Sequence, residues 1–296
     1  MSMSSERPHN GDALAPYRPR LLGLAYRMLG SRSDADDVLQ DAYLRFAEAQ
    51  DVRNPEAFLV TVVTRLCLDR LKSAQARREV YVGPWLPEPI VDADAMSPDA
   101  ATELADDLSF ALLLALDRLS PLERAAFLLH DVFDIPFADV ARTIDRTEAA
   151  CRQLATRARQ AVRKERSAPP APPEAHARLL AAFGDAVRSG EVGRLAALLR
   201  EDAVLLTDGG GRKIAALNPI FGADRIARFF MGRRRKQAGQ DVRLEPAMIN
   251  GAAGALLFID GEFDQTISLA IDGDRIAAIY LVRNPDKLRH MPASTH

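Results

Sequence analysis

Aromatic residues are scarce in this chain, at 6% of 296 residues, and tryptophan occurs once. With alanine and leucine dominating instead, the scarcity points to helices. Cysteine is almost missing as well. Cys67 and Cys151 stand far apart in apolar helical patterns, which excludes a disulfide framework and predicts two buried, reduced thiols. The five histidines (His9, His130, His176, His290, His296) have no metal-ligand spacing, so neither a metal site nor a cofactor is expected. No apolar run approaches the roughly 20 residues that span a bilayer. The opening MSMSSERPHNGD is polar and lacks a signal-peptide core, so a cytoplasmic protein with no membrane partner is expected. An excess of positive charge is lacking too: the formal net charge is −2. A nucleic-acid binder must then concentrate its basic residues locally, and here basic and acidic stretches are segregated along the chain.

What is present begins with helix signals. After a loose tail over 1–13, the pattern is helical from Ala15 to about Arg78. Ser33 is a cap residue with Asp34, Asp36 and Asp37 in the first turn after it, where acids suit the helix dipole. Ala35, Val38, Leu39, Ala42 and Phe46 form one apolar stripe, with Asp37, Gln40, Asp41 and Arg45 outside it. Asn54-Pro55 is a second start, a cap followed by proline at the first helical position. The helix it opens carries Phe58, Leu59, Val62, Val63, Leu66 and Leu71 and ends in the basic residues Arg70, Lys72, Arg77 and Arg78. Three prolines then interrupt the chain in Trp85-Leu86-Pro87-Glu88-Pro89 and its approach, and an acidic stretch follows (Asp92, Asp94, Asp99, Glu103, Asp106, Asp107). A lone tryptophan in a linker is expected to dock on a neighbouring surface.

Helices resume near Ala105. Ser120-Pro121-Leu122-Glu123 combines a capping box with proline at the first helical position. A short helix over Phe137–Ile144, a two-residue turn at Asp145-Arg146 and a long helix capped by Thr147 make a helix-turn-helix pattern. On the long helix, Cys151, Leu154, Ala155, Ala158 and Val162 share one face, and Arg152, Thr156, Arg159 and Arg163 share another. A packing stripe fixes the angle of a helix in a groove, and a cationic stripe neutralises phosphates. Thr147, Glu148, Arg152, Gln153 and Thr156 are placed to reach base edges; Arg157, Arg159, Arg163 and Lys164 are placed to hold phosphates. The turn carries Asp145 where such turns often use glycine.

These motifs together resemble a bacterial sigma factor of the extracytoplasmic-function class over residues 14–166. Asp34-Ala35-Asp36-Asp37-Val38-Leu39-Gln40-Asp41 is similar to that class's acidic helix for the RNA polymerase clamp. The resemblance implies that Asp34, Asp36, Asp37, Gln40 and Asp41 bind polymerase. Ala57-Phe58-Leu59 through Cys67-Leu68-Asp69-Arg70-Leu71-Lys72 and Arg77-Arg78-Glu79 is similar to its segment for −10 recognition and melting. It implies DNA contacts from Arg65, Arg70, Lys72, Arg77 and Arg78, with Ala47–Asn54 at the place where the family captures an unstacked base. Thr64 stands where many relatives have asparagine. Leu119-Ser120-Pro121-Leu122-Glu123-Arg124 and the helix-turn-helix resemble the −35 reader. The partners implied are core RNA polymerase, at its clamp and flap, and promoter DNA.

The proline-rich APPAPP at 168–173 is a domain boundary. Beyond it come helices near 176–189 and 191–199, a basic helix from Asp224 to Lys236, and strand-like runs at Ala203–Leu206, Lys213–Leu217, Val242–Ile249, Ala255–Ile259, Thr266–Ile271 and Arg275–Val282. That order predicts an α+β domain. It resembles the SnoaL-like cone folds, and the whole chain resembles sigma factors carrying such an extension. Three landmarks carry this last likeness: Trp85, Leu86, Pro87, Glu88 and Pro89; Asp208, Gly209, Gly210, Gly211, Arg212 and Lys213; and Asn284, Pro285, Asp286, Lys287 and Leu288. The implied role of these residues is regulation of the sigma portion in cis.

The expected architecture is multidomain, with two all-α sigma domains plus an α+β cone. A tail covers 1–13, region 2 spans 14–80, and the linker spans 81–105. Region 4 spans 106–166, a proline-rich linker 167–176, and the cone 177–296. Two other readings stay open. One is a conventional repressor or activator that uses the cone to sense a small ligand. The other is an enzyme of cyclase or isomerase type using Asp208, Asp264, Glu262 or Tyr280. A catalytic site is not expected, because fold likeness does not transfer activity. A small ligand of the cone is the remaining partner considered.

Overall fold

The computed structural model describes residues 12–78, 81–91, 107–165 and 172–291, with the side chains of 12–14 and 74–78 left aside. Most of the tail, the acidic stretch at 92–106 and most of the APPAPP run lie outside the described residues. The chain forms two compact units, Met1–Gln75 with Asp94–Asp106 and Leu116–Gln160, and Ala76–Ala93 with Asp107–Ala115 and Ala161–His296.

The first unit is helical. Helix α1 (Arg18–Leu29) ends at Gly30 in the left-handed region. Helix α2 (Arg32–Glu48) is capped by Ser31, whose hydroxyl accepts from the Asp34 amide. The cap is therefore two residues earlier than Ser33, because Ser31 has the extended backbone a cap needs while Ser33 already lies in the first turn. Its stripe of Ala35, Val38, Leu39 and Ala42 is buried; Phe46 is half-buried against Phe58. Helix α3 (Pro55–Arg78) starts where Asn54 Oδ1 accepts from the Ala57 amide at 3.0 Å.

Helix α4 (Phe110–Asp117) leads to α5 (Pro121–Phe127), where the Ser120–Glu123 capping box closes in both directions. A π-turn (Leu128–Val132) follows, then α6 (Phe137–Ile144) and α7 (Glu148–Glu165). Asp145 ends α6 at φ +55, so an aspartate, which tolerates the left-handed region, does the work of the glycine usual in this turn. Cys67 and Cys151 are buried and unpaired by disulfide.

The second unit holds a six-stranded sheet in the order β2-β1-β6-β5-β4-β3. Its strands are β1 (Leu199–Asp208), β2 (Ile220–Phe221), β3 (Val242–Ile249), β4 (Ala252–Ile259), β5 (Glu262–Asp272) and β6 (Arg275–Val282). Only β1 and β6 pair parallel; the others pair antiparallel. Helices α8 (Pro173–Ser189), α9 (Val192–Leu198) and α10 (Ala223–Lys236) cover one face, with Phe183, Leu195, Ile226 and Phe230 packed on Leu205, Ile267 and Ile279. This confirms an α+β domain. The opposite face buries Leu256, Phe258, Tyr280 and Val282 beneath Leu86 and Phe110. A second core thus forms where Leu86 of the linker and Phe110 of α4 cover this face.

Residues Lys213–Leu217 are not a strand. Gly209 accepts from the amides of Arg212 and Lys213, which reverses the chain, and the Ala216 amide donates to the Thr207 hydroxyl instead of to a neighbouring strand. A Cβ on Gly209 would lie 2.2 Å from the Lys213 carbonyl, so this turn requires glycine. The alternation of the run suggested a strand, but the glycines before it decide its path.

Candidate nucleic-acid interface and linker site

On α7 the expected packing stripe is buried: Cys151, Leu154, Ala155, Ala158 and Val162 all face inward. Thr147 caps the helix, its hydroxyl accepting from the Ala150 amide at 3.2 Å. Thr147, Glu148, Arg152, Gln153, Thr156, Arg157, Arg163 and Lys164 are exposed. Arg152, Gln153, Thr156, Arg157 and Gln160 line a shallow open depression of about 410 Å³. Two of the arginines are fixed from behind: Arg157 pairs with Glu123 at 2.8 Å and Arg159 with Asp131 at 2.5 Å. Burial works against the Glu123 carboxylate, yet hydrogen bonds from Ser120 and the charge of Arg157 hold its carboxyl below the usual value. Arg152 is tied to Glu148 at 2.7 Å and lies over the Phe137 ring. This face is cationic and anchored, which suits the phosphates of a groove.

The acidic face of α2 has a partner within the same unit. Arg70 of α3 lies 3.1, 3.4 and 3.7 Å from Asp34, Asp37 and Asp41, and Asp36 pairs with Arg18 and Arg32. Gln40 is exposed. Lys72 is exposed beside Asp69. Arg65 donates to the carbonyls of Thr143 and Arg142, both at 3.0 Å, and so covers the C-terminal end of α6. Thr64 is fully buried and donates to the Val60 carbonyl. Arg77 and Arg78 belong to α3, but their side chains lie outside the described residues.

The linker site centres on Asp208, which is fully buried at the end of β1. Its Oδ1 accepts from the Tyr81 hydroxyl at 2.6 Å and the Gly210 amide at 3.0 Å. Its Oδ2 accepts from the Leu86 amide at 2.9 Å and from Lys287 Nζ at 2.7 Å. Lys287 also donates to the Leu86 carbonyl and stands 4.3 Å from the Trp85 ring. Asn284 caps the turn Pro285–Lys287 and donates to the Tyr81 hydroxyl at 2.9 Å. A Cβ on Gly210, at φ +60, would lie 2.2 Å from Asn284 Nδ2, so glycine permits this contact. Burial, reinforced by the Asp208 carboxylate, pushes the Tyr81 hydroxyl well above its ordinary pKa. It therefore stays a neutral donor. Leu86 and Ile90 are buried, and Glu88 is 2% exposed with His290 3.8 Å away. Arg212 pairs with Asp286 at 3.0 Å. The three landmark segments thus converge: Trp85–Pro89, Asp208–Lys213 and Asn284–Leu288 form one site. Gly209 and Gly211 shape the turn after β1, Pro285 opens the turn over Pro285–Lys287, and Pro87 and Pro89 lie in irregular chain.

Asp264 organises a second cluster. Lys213 reaches it at 3.0 Å, Arg283 at 3.0 Å through a two-pronged contact, and Arg233 at 3.6 Å. Burial opposes ionisation of Asp264, but Arg283 and Lys213 outweigh it and hold its pKa below the ordinary value. Burial and the neighbouring Arg283 lower Arg233 to about 10. Asp208 and Asp264 are both buried and engaged by these partners, and Tyr280 is stacked on Phe110 with ring centroids 5.3 Å apart. Tyr81, Phe110, Asn250, Arg233 and Arg283 are missing from the residues that sequence reasoning assigned to the site. Asn250 left a trace there, since Asn250-Gly251 between two apolar runs is a hairpin signal.

Two family models match the chain: Sigma-70 region 2 over residues 14–77 and Sigma-70, region 4 over residues 109–162. The chain is 38% identical over 290 residues to the ECF RNA polymerase sigma factor SigJ of Mycobacterium tuberculosis, covering 93% of this chain and 92% of that protein. It is 32% identical over 278 residues to the probable ECF RNA polymerase sigma factor SigI of the same species, covering 92% of each. The crystal structure of M. tuberculosis SigJ superposes with a TM-score of 0.75 at 32% identity, covering 96% of this chain and 99% of that one. The likeness to SigJ therefore extends through the sheet domain.

Proposed function

Because this chain belongs to the extracytoplasmic-function RNA polymerase sigma factors, we propose that its cone regulates the sigma portion in cis by gripping the linker between the two promoter readers. The chain is a sigma factor that binds core RNA polymerase and directs transcription initiation at promoters. Sigma factors are not enzymes, and opening the duplex is binding energy applied to melted DNA. The face of α2 carrying Asp34, Asp36, Asp37, Gln40 and Asp41 docks on the polymerase clamp, and the −35 module lies near the flap. Arg65, Arg70, Lys72, Arg77 and Arg78 serve the −10 element. Thr147, Glu148, Arg152, Gln153 and Thr156 read −35 bases, and Arg157, Arg159 and Arg163 hold the flanking phosphates. No helix among the described residues is long and apolar enough to cross a membrane.

The observation that carries the regulatory reading is the Asp208 site. A fully buried carboxylate joins the linker's Tyr81 and Leu86 to Lys287, across separations of 79 to 127 residues. A buried charge of this kind is costly unless fully partnered, and two of its four donors come from the linker. A small ligand of the cone has one supporting feature. Thr266 Oγ1 and Ser268 Oγ are buried without hydrogen-bond partners among the described residues, on the sheet face that Leu86 and Phe110 cover.

In vitro transcription with purified core polymerase tests the sigma reading. Full-length protein is expected to form holoenzyme and start transcripts from a −35/−10 promoter. Tight dimeric binding to duplex operator DNA without core, and no holoenzyme, would overturn it in favour of a conventional repressor.

A further inference from the structure

Two distant points of the chain between α3 and α4 meet on one side chain. Asn250 stands at the β3–β4 corner with φ +53 and is 2% exposed. Its Oδ1 accepts from the Ile90 amide at 3.0 Å, and its Nδ2 donates to the Leu108 carbonyl at 3.0 Å. Its own amide donates to the Ile90 carbonyl at 2.7 Å. A buried primary amide engaged at both ends fixes the two backbone segments against each other. While both bonds hold, Ile90 and Leu108 are fixed at one place, so the stretch between them adds no distance between α3 and α4.

Chain reach makes this consequential. Residues 79–109 connect α3 to α4, and a fully extended chain of that length spans roughly 110 Å. With Ile90 bolted to Leu108, only 79–90 and 108–109 contribute, or roughly 50 Å at most. The −10 and −35 elements lie about 25 base pairs apart, roughly 85 Å at 3.4 Å per pair. Each helical module covers about 10 Å of that from its centre to its surface, which leaves about 65 Å for the linker. The bolted linker is too short and the released one is long enough.

We propose that Asn250 is a positioning residue that takes up the linker's slack, so that its hold on Ile90 and Leu108 sets which −10/−35 spacings the holoenzyme can use. The proposal rests on the sigma reading. Release of Leu108 from Asn250 precedes simultaneous engagement of both elements, and the cone thereby acts on promoter choice without touching DNA.

Transcription by the full-chain holoenzyme on templates with stepped spacer lengths tests it. Asn250→Asp keeps a residue that tolerates the hairpin corner but removes the donor to Leu108. It is expected to raise output on long-spacer templates about threefold or more relative to short ones. Replacing residues 92–106 with two glycines leaves the bolted form intact but cuts the released reach to roughly 60 Å. It is expected to lower output at normal spacing about tenfold, with recovery on shortened spacers and an unchanged melting temperature. Spacer profiles that superpose on the wild-type profile for both variants overturn the proposal. Failure of the wild-type chain itself to bind core would overturn the sigma reading instead, and the two failures are told apart by holoenzyme formation.

Discussion

Asp208 and Asp264 are both buried carboxylates of the cone, but they bind different kinds of partner. Asp264 is held by Lys213, Arg233 and Arg283, all from the cone itself. Asp208 is held partly by the cone's Lys287 and Gly210 and partly by the linker's Tyr81 and Leu86. One is an internal staple of the domain; the other is a staple across a segment that can leave. Stability and regulation should therefore separate when the two are mutated. Trp85, the single tryptophan of the chain, reports which has failed, because it sits beside Lys287 in the linker site.

The largest effect is expected from Asp208→Asn. It strips Lys287 of its counter-charge, and breaking a buried pair costs about 3–5 kcal/mol. Linker docking should be lost, seen as a red shift of Trp85 emission well below the melting temperature. Asp264→Asn should cost about 3 kcal/mol because three cations lose their anion. That loss should appear as a lower melting temperature of the cone with Trp85 emission unchanged at 25 °C. A red shift in the second variant as large as in the first would erase the distinction between the two staples.

Tyr81→Phe sharpens the comparison at a smaller scale. It removes one donor to Asp208 and leaves Asn284 Nδ2 without its acceptor, at about 1–2 kcal/mol. Faster proteolysis at the linker, with unchanged cone stability, is the expected readout.

Acid should act on the cone in two stages. His176 is buried, with its pKa lowered from 6.5, so its contribution is full above 6.5 and declines as pH falls below that value. Asp264, lowered from 3.8, contributes above 3.8 and is lost as pH falls through its folded value. Urea titrations at pH 7.5, 5 and 3 should show a small loss of stability first and a larger one second. Flat stability from 7.5 to 5 would contradict the assignment to His176.

How much of this was legible in the sequence depended on the range of each interaction. Asn54, Ser120 and Thr147 were identified correctly as caps because a cap acts within three residues. Ser31 was missed because Ser33, beside a run of acids, made an equally good local pattern. The packing stripe of α7 followed from helical periodicity alone. The Lys213–Leu217 run was misread because alternation is blind to the Gly209 turn preceding it. Tyr81, Asn250 and Arg283 gave little sign of their roles, since Tyr81 acts on Asp208 and Asn250 on Ile90, each more than a hundred residues away. The sequence motifs at Trp85–Pro89, Asp208–Lys213 and Asn284–Leu288 pointed to a common role, but only the fold brings them onto a single carboxylate.

The central claim is that the cone's grip on the linker restrains the sigma portion. Its most direct test is multi-round transcription by core polymerase with wild-type or Asp208→Asn protein at saturating sigma, with Trp85 emission confirming release. Output about threefold or more above wild type is predicted, because loss of the Asp208 staple weakens the cone's hold on the linker. Equal or lower output from a folded variant whose Trp85 is solvent-exposed would contradict the account.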